Sequence, residues 1–265
     1  MAKISVIIST YNRPHYLAKV LDGFLNQTLK PYEIVIADDG SKEDTRLLIE
    51  SYKDKSDIPI IHVWHEDNGF RLAEIRNKAI AVSNGDYIII CDDDSIPDVH
   101  FVEDHNKYKM KGCFIQGHRV LLGKEISSFI TYRECNFKKL LKYTFKGNVK
   151  NISNAIRLPI PLIKISKNLK GIRGCNMSFY KADLLSVNGY NENIVGWGRE
   201  DSELAARLYN IGIVRKDIKF CLPVYHLYHD EYSRDKLNRN DEILNETIKK
   251  GITYCFNGIN KHLRF

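Results

Sequence analysis

Three consecutive carboxylates follow a strongly apolar stretch of the sequence. Residues 87–91 read YIIIC, which is typical of a buried strand, and Asp92, Asp93 and Asp94 come directly after them. Adjacent carboxylates repel one another and are costly to hold beside a core, so this group needs a positively charged partner. Carboxylate oxygens are preferred ligands of Mg²⁺ and Mn²⁺. We therefore predict a divalent cation at this strand end, although aspartates also favour simple turns.

A second group of functional side chains lies in GWGRED, residues 196–201. The glycines on both sides of Trp197 indicate a tight loop that presents an aromatic face, and such faces can stack on sugar rings. Glu200 and Asp201 then begin a predicted helix, where one carboxylate could act as the general base for a hydroxyl. The alternative is an N-terminal helix cap beside a packed tryptophan.

Two histidines near the end of the chain are candidate nitrogen ligands for the same cation. His226 and His229 lie in YHLYH, directly after an apolar run at residues 220–224. A spacing of three lets two imidazoles share one face of a helix or flank a turn. The alternative is that both are ordinary structural histidines.

Two arginines lie near the start of a helix predicted at residues 72–82. Arg71 precedes this helix, after the residues NGF, and Arg76 lies within it. Both side chains could reach phosphates from the N-terminal end of the helix, where anions are favoured. The alternative is that both are solvated surface residues.

These groups follow a regular alternation of strands and helices. Strands are predicted at residues 4–9, 34–37, 58–63 and 87–91, and helices at 15–27, 42–52, 72–82, 200–211 and 234–250. Strands separated by helices of this length form βαβ units and a parallel sheet. Ligands bind such sheets beyond the carboxyl ends of the strands. The polar residues at the predicted strand ends are therefore expected to lie on one rim.

Composition limits the class of protein. The chain has 265 residues and 43% hydrophobic content, which favours a folded α/β domain over disorder. Its six cysteines are widely spaced with no C-x-x-C pair, so we expect buried free thiols rather than a zinc site or a disulfide framework. No signal peptide or membrane-length apolar stretch is visible. A cytoplasmic location is expected, with peripheral contact at the inner face of the membrane.

Positive charge is concentrated in the middle of the chain. The net charge is +7, and residues 124–173 alone carry twelve Lys or Arg against two acids. A local excess of this kind suggests an anionic partner, such as phosphates, an acidic glycan or an anionic membrane surface. The alternative is a merely solvated surface.

Together, these motifs resemble those of the family 2 glycosyltransferases, which have a GT-A fold. They occur in the family's order over most of the chain, as ISVIISTYNR, IVIADDGSKEDT, EDNGFRLAEIRNKAI, YIIICDDDSIPD, GCNMSFYKADLL, GYNENIVGWGREDSEL and VYHLYHD. The last three are similar to motifs of chondroitin-synthase-type and β-1,4-galactosyltransferase-type domains. The expected fold is α/β, a Rossmann-like and mostly parallel sheet flanked by helices. We expect one domain, with a nucleotide-binding half at 1–122, an inserted basic lobe at 123–170 and an acceptor-binding half with a C-terminal helix at 171–265.

The resemblance also implies roles for individual residues. The nucleotide would be bound by Thr10, Tyr11, Arg13, Asp39, Gly69, Arg71, Arg76, Asp92 and Asp93. Tyr11 would pack near a uracil, and Asp39 would accept a hydrogen bond from its imide. The donor and acceptor sugars would contact Gly174, Asn176, Trp197 and Glu200. Asp94 with His226, or alternatively with His229, would bind Mn²⁺ or Mg²⁺. Asp201 would be the general base, and Glu200 beside it would be the second catalytic residue and hold a sugar hydroxyl.

The resemblance implies an inverting, metal-dependent hexosyltransferase that uses a UDP-sugar. The expected acceptor is a glycan or a lipid-linked oligosaccharide of surface polysaccharide biosynthesis, such as lipopolysaccharide, and no nucleic acid is expected as a partner. One departure is Arg199, where relatives often have glycine, and its cation could contact an anionic acceptor.

Two alternative functions remain from the residues alone. A sugar nucleotidyltransferase would need a glycine-rich phosphate loop after the first strand, and residues 9–13 read STYNR, without glycine. A non-catalytic sugar-binding module would bind a sugar without turnover.

Overall fold

Strands and helices alternate through the first half of the chain, as predicted. The computed structural model describes residues 3–230 and 233–263. Its strands are β1 (Ile4–Thr10), β2 (Glu33–Asp38), β3 (Ile60–Trp64), β4 (Tyr87–Asp92), β5 (Ser95–Pro97), β6 (Cys113–Gln116), β7 (Arg119–Leu122), β8 (Val149–Lys150), β9 (Leu162–Ser166), β10 (Met177–Tyr180), β11 (Val214–Lys219) and β12 (Val224–His226). Its α-helices are α1 (Pro14–Leu25), α2 (Glu43–Lys53), α3 (Leu72–Val82), α4 (Phe101–Tyr108), α5 (Lys124–Phe129), α6 (Phe137–Thr144), α7 (Lys181–Ser186), α8 (Glu200–Asn210) and α9 (Leu237–Lys250).

The large sheet places the predicted functional ends of its strands side by side. Its order is β3-β2-β1-β4-β10-β6-β11-β9, and β1, β2, β3 and β4 run parallel to one another. In this register Thr10 pairs with Asp38, and Ser9 pairs with Asp92. The carboxyl ends of these strands therefore share one rim, and the prediction of a mostly parallel sheet with polar groups at that rim is confirmed.

Each face of the large sheet has its own hydrophobic core. Successive residues of a strand point to opposite faces. Val6 and Ile8 thus pack in a cluster with Phe24 of α1, whereas Ile7 packs in a second cluster with Ile75 of α3. Helix α8 also packs in the second cluster. Burial of its apolar side holds the first turn of α8 near the sheet rim.

A second sheet of four strands, in the order β5-β12-β7-β8, packs on the first cluster. Strand β7 reads RVLL and has two different faces. Val120 and Leu122 are buried in the cluster, whereas Arg119 and Leu121 on the opposite face are only partly buried. This outward face forms one wall of the cavity described below.

The basic middle segment contributes strands to both sheets. Strand β8 pairs with β7 in the small sheet, and β9 pairs with β11 at the edge of the large sheet. Neither strand could be predicted from the sequence. Strand β8 has only two residues, and β9 exposes side chains on both faces, so it shows no alternation of apolar and polar residues. The division at residues 123 and 170 stays a prediction.

Two further expectations can be compared with the fold. All six cysteines are free and buried, as their spacing predicts. Within residues 3–230 and 233–263, none of the helices combines the length and the apolar character needed to cross a membrane. The last predicted helix begins at Leu237, three residues later than expected.

Candidate active site

A cavity of about 1030 Å³ lies where the rim of the large sheet meets the small sheet and the start of α8. Ligand pockets typically measure about 300–1,000 Å³, so this cavity lies at the upper end of that range. The residues predicted for the site line this cavity, with four exceptions: Arg13, Gly69, Arg71 and Asn176.

Asp94 lies between the two candidate histidines. Its Oδ1 is 3.5 Å from Nε2 of His226, and its Oδ2 is 3.1 Å from Nε2 of His229. One ligand atom from each of the three residues lies within 4.8 Å of the others. The two histidines were alternatives in the sequence, and the fold brings both to the same carboxylate. One carboxylate oxygen and two imidazole nitrogens form a donor set that a divalent transition metal accepts.

The charge states of Asp94 and His226 also suit a metal. Burial alone would raise the pKa of Asp94, but His226, His229 and Arg13 outweigh it and hold the pKa at about 2. Burial lowers the pKa of His226 to about 4, so its nitrogen lone pair is available at neutral pH. The hydrogen bond with Asp94 raises the pKa of His229.

The three aspartates are not equivalent. Thr10 Oγ1 donates to Asp93 Oδ2 at 2.7 Å, and the Arg13 guanidinium is 3.8 Å from Asp93 Oδ1. Burial, with a further contribution from Asp94, raises the pKa of Asp93 to about 8. Asp92 is less buried and contacts Arg76 instead. Asp94 therefore faces the histidines, whereas Asp92 and Asp93 have other partners.

Arg76 links the end of β4 to the start of α8. Its side chain is fully buried, and Nε donates to Ser9 Oγ at 3.0 Å. The other two nitrogens donate to Asp92 Oδ1 at 2.8 Å and to Asp201 Oδ1 at 3.0 Å. A planar guanidinium fits two carboxylates in a fixed geometry. These contacts make Arg76 a positioning residue, and its predicted contact with phosphates stays a prediction.

Asp201 is held in the first turn of α8 from two sides. Besides Arg76, the backbone N–H of Gly174 donates to Asp201 Oδ2 at 2.7 Å. A Cβ at position 174 would lie 2.7 Å from both carboxylate oxygens, so only glycine allows this approach. The positive end of the helix dipole also favours a carboxylate here. Asp201 is thus fixed at the edge of the cavity with its oxygens oriented.

Glu200 differs from its neighbour in having an unsatisfied oxygen. Its Oε2 is buried and, among the described residues, has no hydrogen-bond partner. Burial, followed by repulsion from Asp201, raises the pKa of Glu200 from 4.5 to about 7, against the opposing effect of Arg76. A protonated Glu200 could donate a hydrogen bond to a ligand in the cavity, which a carboxylate cannot do.

This pKa predicts a pH-dependent difference in stability. The folded protein keeps the proton of Glu200 to a higher pH than the unfolded chain does, so the associated stabilisation is complete below pH 4.5 and is lost as the pH rises through about 7. Glu200→Gln cannot ionise. The melting temperature of Glu200→Gln minus that of the wild type should therefore be larger at pH 8 than at pH 5. The exposed Glu242→Gln is the control, and an equal difference at both pH values would contradict the assignment.

Trp197 presents its ring at the entrance to the cavity. It is 38% exposed, and the Arg234 guanidinium lies 5.1 Å from the ring centroid. The cation of Arg199, a candidate contact for an anionic acceptor, pairs with Asp241. Arg199 also has a left-handed backbone with a φ of 80°. The tight loop predicted around Trp197 is present, and the Arg199 charge already has a protein partner.

The two residues expected near the uracil ring, Tyr11 and Asp39, also line the cavity. Tyr11 donates its hydroxyl to Asp67 Oδ2 at 2.8 Å. Asp39 Oδ1 lies 2.6 Å from Nε2 of His65, and its Oδ2 accepts the backbone N–H of Arg71 at 2.9 Å. Each Asp39 oxygen thus has a protein partner, which fixes the orientation of the carboxylate. His65 is a contact that sequence reasoning missed.

Besides Arg13, three predicted binding residues lie outside the cavity lining. Asn176 is fully buried, and its amide nitrogen donates to the carbonyl oxygens of His118 and Leu222. The Arg71 side chain donates to Glu74 at 3.2 Å. Gly69 lies in a turn, with a φ of 78°. Their predicted ligand contacts stay predictions, and the contacts observed are within the protein itself.

Sequence reasoning also missed two cations of the cavity wall, Arg119 and Lys150. Both lie on short strands of the small sheet. The alternation of RVLL in β7 was the available signal for Arg119, whereas the two-residue strand β8 offers none for Lys150.

The family comparison agrees with the resemblance that the motifs indicate. The profile of glycosyl transferase family 2 matches residues 5–157, and the profile of the N-terminal domain of galactosyltransferase matches residues 156–230. The first match covers more than half of the chain, so this chain belongs to glycosyl transferase family 2. The predicted glycosyltransferase family is therefore confirmed.

Individual relatives give the same result. Chondroitin synthase of Escherichia coli is 25% identical over an alignment of 268 positions, which covers 92% of this chain and 37% of the synthase. The structure of S. aureus TarS 1–349 in complex with UDP has a TM-score of 0.62 at 16% identity, covering 98% of this chain and 68% of that one. The structure of GalNAc-T7 with UDP, GalNAc and Mn²⁺ has a TM-score of 0.63 at 16% identity, covering 87% and 45%. The GT-A fold is thereby confirmed, and the chain spans little more than a third of the synthase.

Proposed function

We propose that this chain is an inverting, metal-dependent glycosyltransferase that moves a sugar from a UDP-sugar to a hydroxyl group of a glycan or lipid-linked oligosaccharide. One observation carries the proposal. The candidate metal group around Asp94 and the candidate base Asp201 line the same cavity, and the buried Arg76 contacts both Asp201 and Asp92, two residues before Asp94. Such a cavity can hold a diphosphate at one end and an acceptor hydroxyl at the other.

The donor is proposed to be a uridine diphosphate sugar. The ring of Tyr11 and the fixed carboxylate of Asp39 both line the cavity, and they would contact the uracil ring there. Two structures with the same fold, those of TarS and GalNAc-T7, contain UDP.

The donor is tested by thermal shift with UDP, GDP and dTDP, each with a set of their sugars, in the presence and absence of Mn²⁺. UDP and at least one UDP-sugar should raise the melting temperature, and more so with Mn²⁺. A shift with GDP or dTDP compounds alone would overturn the role of Asp39.

The metal is proposed to be Mn²⁺ rather than Mg²⁺. Asp94, His226 and His229 would hold it. Mg²⁺ prefers oxygen ligands, whereas two imidazoles suit a softer ion. The structure of GalNAc-T7 contains Mn²⁺. When bound, the ion would supply positive charge to the diphosphate of the leaving group.

The protein's own contribution to the step is proton removal and alignment. The acceptor O–H gives its proton to an oxygen of Asp201 while its oxygen forms a bond to the anomeric carbon. The bond from that carbon to the UDP oxygen breaks on the opposite face, and the electron pair leaves with the diphosphate. Arg76 and the Gly174 N–H orient the two Asp201 oxygens for this transfer. Attack opposite the leaving group inverts the anomeric configuration.

Peripheral contact with an anionic membrane is proposed for the segment around β9. Residues 151–173 contain five Lys or Arg and no acid. In the same segment Ile160 is 84% exposed and Leu162 is 61% exposed. Exposed apolar side chains among cations fit an anionic bilayer surface. A lipid-linked acceptor of surface polysaccharide synthesis, lipopolysaccharide included, would be reached from such a surface.

Sedimentation with vesicles tests the membrane contact. The wild type should sediment with 30% phosphatidylserine vesicles and much less with pure phosphatidylcholine. The double variant Ile160→Ser and Leu162→Ser should sediment several-fold less, whereas Ile248→Ser, which removes an exposed apolar side chain of α9, should not change. Neutralising Lys138, Lys139 and Lys142 tests the charge of helix α6 separately. Equal sedimentation of wild type and the double variant would refute the contact.

A further inference from the structure

We propose that the acceptor carries an anionic group, a carboxylate or a phosphate, and that a row of cations on one wall of the cavity binds it. This inference rests on the proposed function and adds the chemical class of the acceptor. The cations are Arg119, Lys124, Lys150 and Arg173, and all four line the cavity. They are called the cationic wall below.

The register of the small sheet sets the direction of two wall cations. Leu121 of β7 pairs with Lys150 of β8 on one side and with His226 of β12 on the other. Residues that pair across strands project from the same face, and Arg119 shares this face because it lies two positions from Leu121. Strands are about 4.8 Å apart, so Lys150 lies roughly 10 Å from His226. This separation applies to the Cα atoms, so the backbone of Lys150 lies two strands away from the candidate metal ligand His226.

The wall cations differ from the paired charges of the cavity, because they have no acidic partner in the part of the chain that the structure describes. Asp92 and Asp201 contact Arg76, and Asp94 contacts the histidines. By contrast, none of the four wall cations forms an ion pair within residues 3–230 and 233–263. Arg119 is partly buried, and its Nε is a buried donor without a hydrogen-bond partner in those ranges. Buried donors are normally satisfied, so this one indicates a position for a ligand acceptor atom.

The position of Arg173 places one of the wall cations next in sequence to a contact of the candidate base Asp201. Arg173 directly precedes Gly174, whose N–H holds the carboxylate of Asp201. The hydroxyl that Asp201 deprotonates belongs to the acceptor, so an anionic group on the same acceptor molecule lies within reach of the wall. The cavity is also at the upper end of the size range of ligand pockets.

Two kinds of acceptor share this chemistry. A uronate unit of a glycan offers a carboxylate, and a glycosyl phosphate or a lipid-linked diphosphate offers phosphate oxygens. Arginine binds both in a two-pronged geometry, and lysine binds both as a point charge. The number of wall cations does not favour one source, so the probes below separate them.

Binding is measured by calorimetry with three probes: a uronate-containing tetrasaccharide, a glycosyl phosphate and a neutral tetrasaccharide. Each is titrated with UDP and Mn²⁺ present, and again without them. At least one anionic probe should bind more tightly than the neutral one. Lys150→Gln with Arg173→Gln should weaken that probe about five- to tenfold, with an unchanged Kd for UDP. Lys111→Gln, an exposed cation outside the cavity, is the matched control.

The outcomes separate this inference from the proposed function. Equal affinity of neutral and anionic probes, or no effect of the double variant, would overturn the anionic acceptor. Weaker binding of UDP by the double variant would assign these cations to the donor and would also overturn it. Absence of UDP binding by the wild type would contradict the proposed function alone, because the titration without nucleotide gives the anion result independently. Preference for the uronate or the phosphate probe identifies the source of the charge.

Discussion

Replacing Asp201 by asparagine is expected to lower the rate of sugar transfer about a thousandfold, with little change in the KM for the donor. General bases typically contribute about 10²–10⁴-fold, and asparagine cannot take up the acceptor proton. Because the donor is bound elsewhere in the cavity, the loss should appear in kcat. The measurement is steady-state transfer from the UDP-sugar that the thermal-shift panel selects.

The contacts of Asp201 require a test of folding beside the kinetics. Asparagine keeps the shape of the side chain but removes a negative charge that faces the buried Arg76. A melting curve therefore accompanies each rate. Asp241→Asn is the matched control, since Asp241 is an acid near the same helix that pairs only with the partly exposed Arg199 among the described contacts. Near-normal transfer by a folded Asp201→Asn protein would remove Asp201 from the role of base.

Removing the metal group is expected to have the second large effect. Asp94→Asn should weaken Mn²⁺ binding at least about a hundredfold and reduce transfer comparably, because a metal supplies several kcal/mol of charge stabilisation to a leaving group. His226→Ala and His229→Ala should each weaken Mn²⁺ binding as well, since both imidazoles face Asp94. Chelation of the wild type by EDTA should abolish transfer, and added Mn²⁺ should restore it.

His100→Ala is the control for a general effect of losing an imidazole, because His100 pairs with Glu103 away from the cavity. If only one of the two histidine variants loses Mn²⁺ affinity, the other imidazole is not a ligand. Transfer that persists in EDTA, or an Asp94→Asn protein with normal Mn²⁺ affinity, would contradict the metal assignment.

The sequence predicts the nucleotide-binding half of this fold well, for a physical reason. Buried parallel strands such as β1 and β4 are continuous apolar runs, and they end abruptly in polar residues. Since ligands bind at the carboxyl ends of parallel strands, the location of Asp92, Asp93 and Asp94 could be inferred without coordinates. The carboxylates of α8 were equally visible, because they open a helix after a glycine-rich loop.

Contacts between distant residues could not be inferred in the same way. Arg76 lies five residues after Arg71, and nothing in that spacing shows that it turns inward to bridge Asp92 and Asp201. Likewise, both histidines reach Asp94 because β12 pairs with β5, a contact across about 130 residues of sequence. The small sheet has strands of two to four residues, which are too short to give a clear periodicity.

The central claim is direct displacement at the anomeric carbon, with Asp201 as the base and the diphosphate as the leaving group. Proton NMR of a fresh reaction with a UDP-α-sugar tests it most directly, because the anomeric coupling of the first product reports the configuration. The sugar released to water or joined to an acceptor should appear first as the β anomer. An α anomer formed first, before mutarotation, would contradict the mechanism.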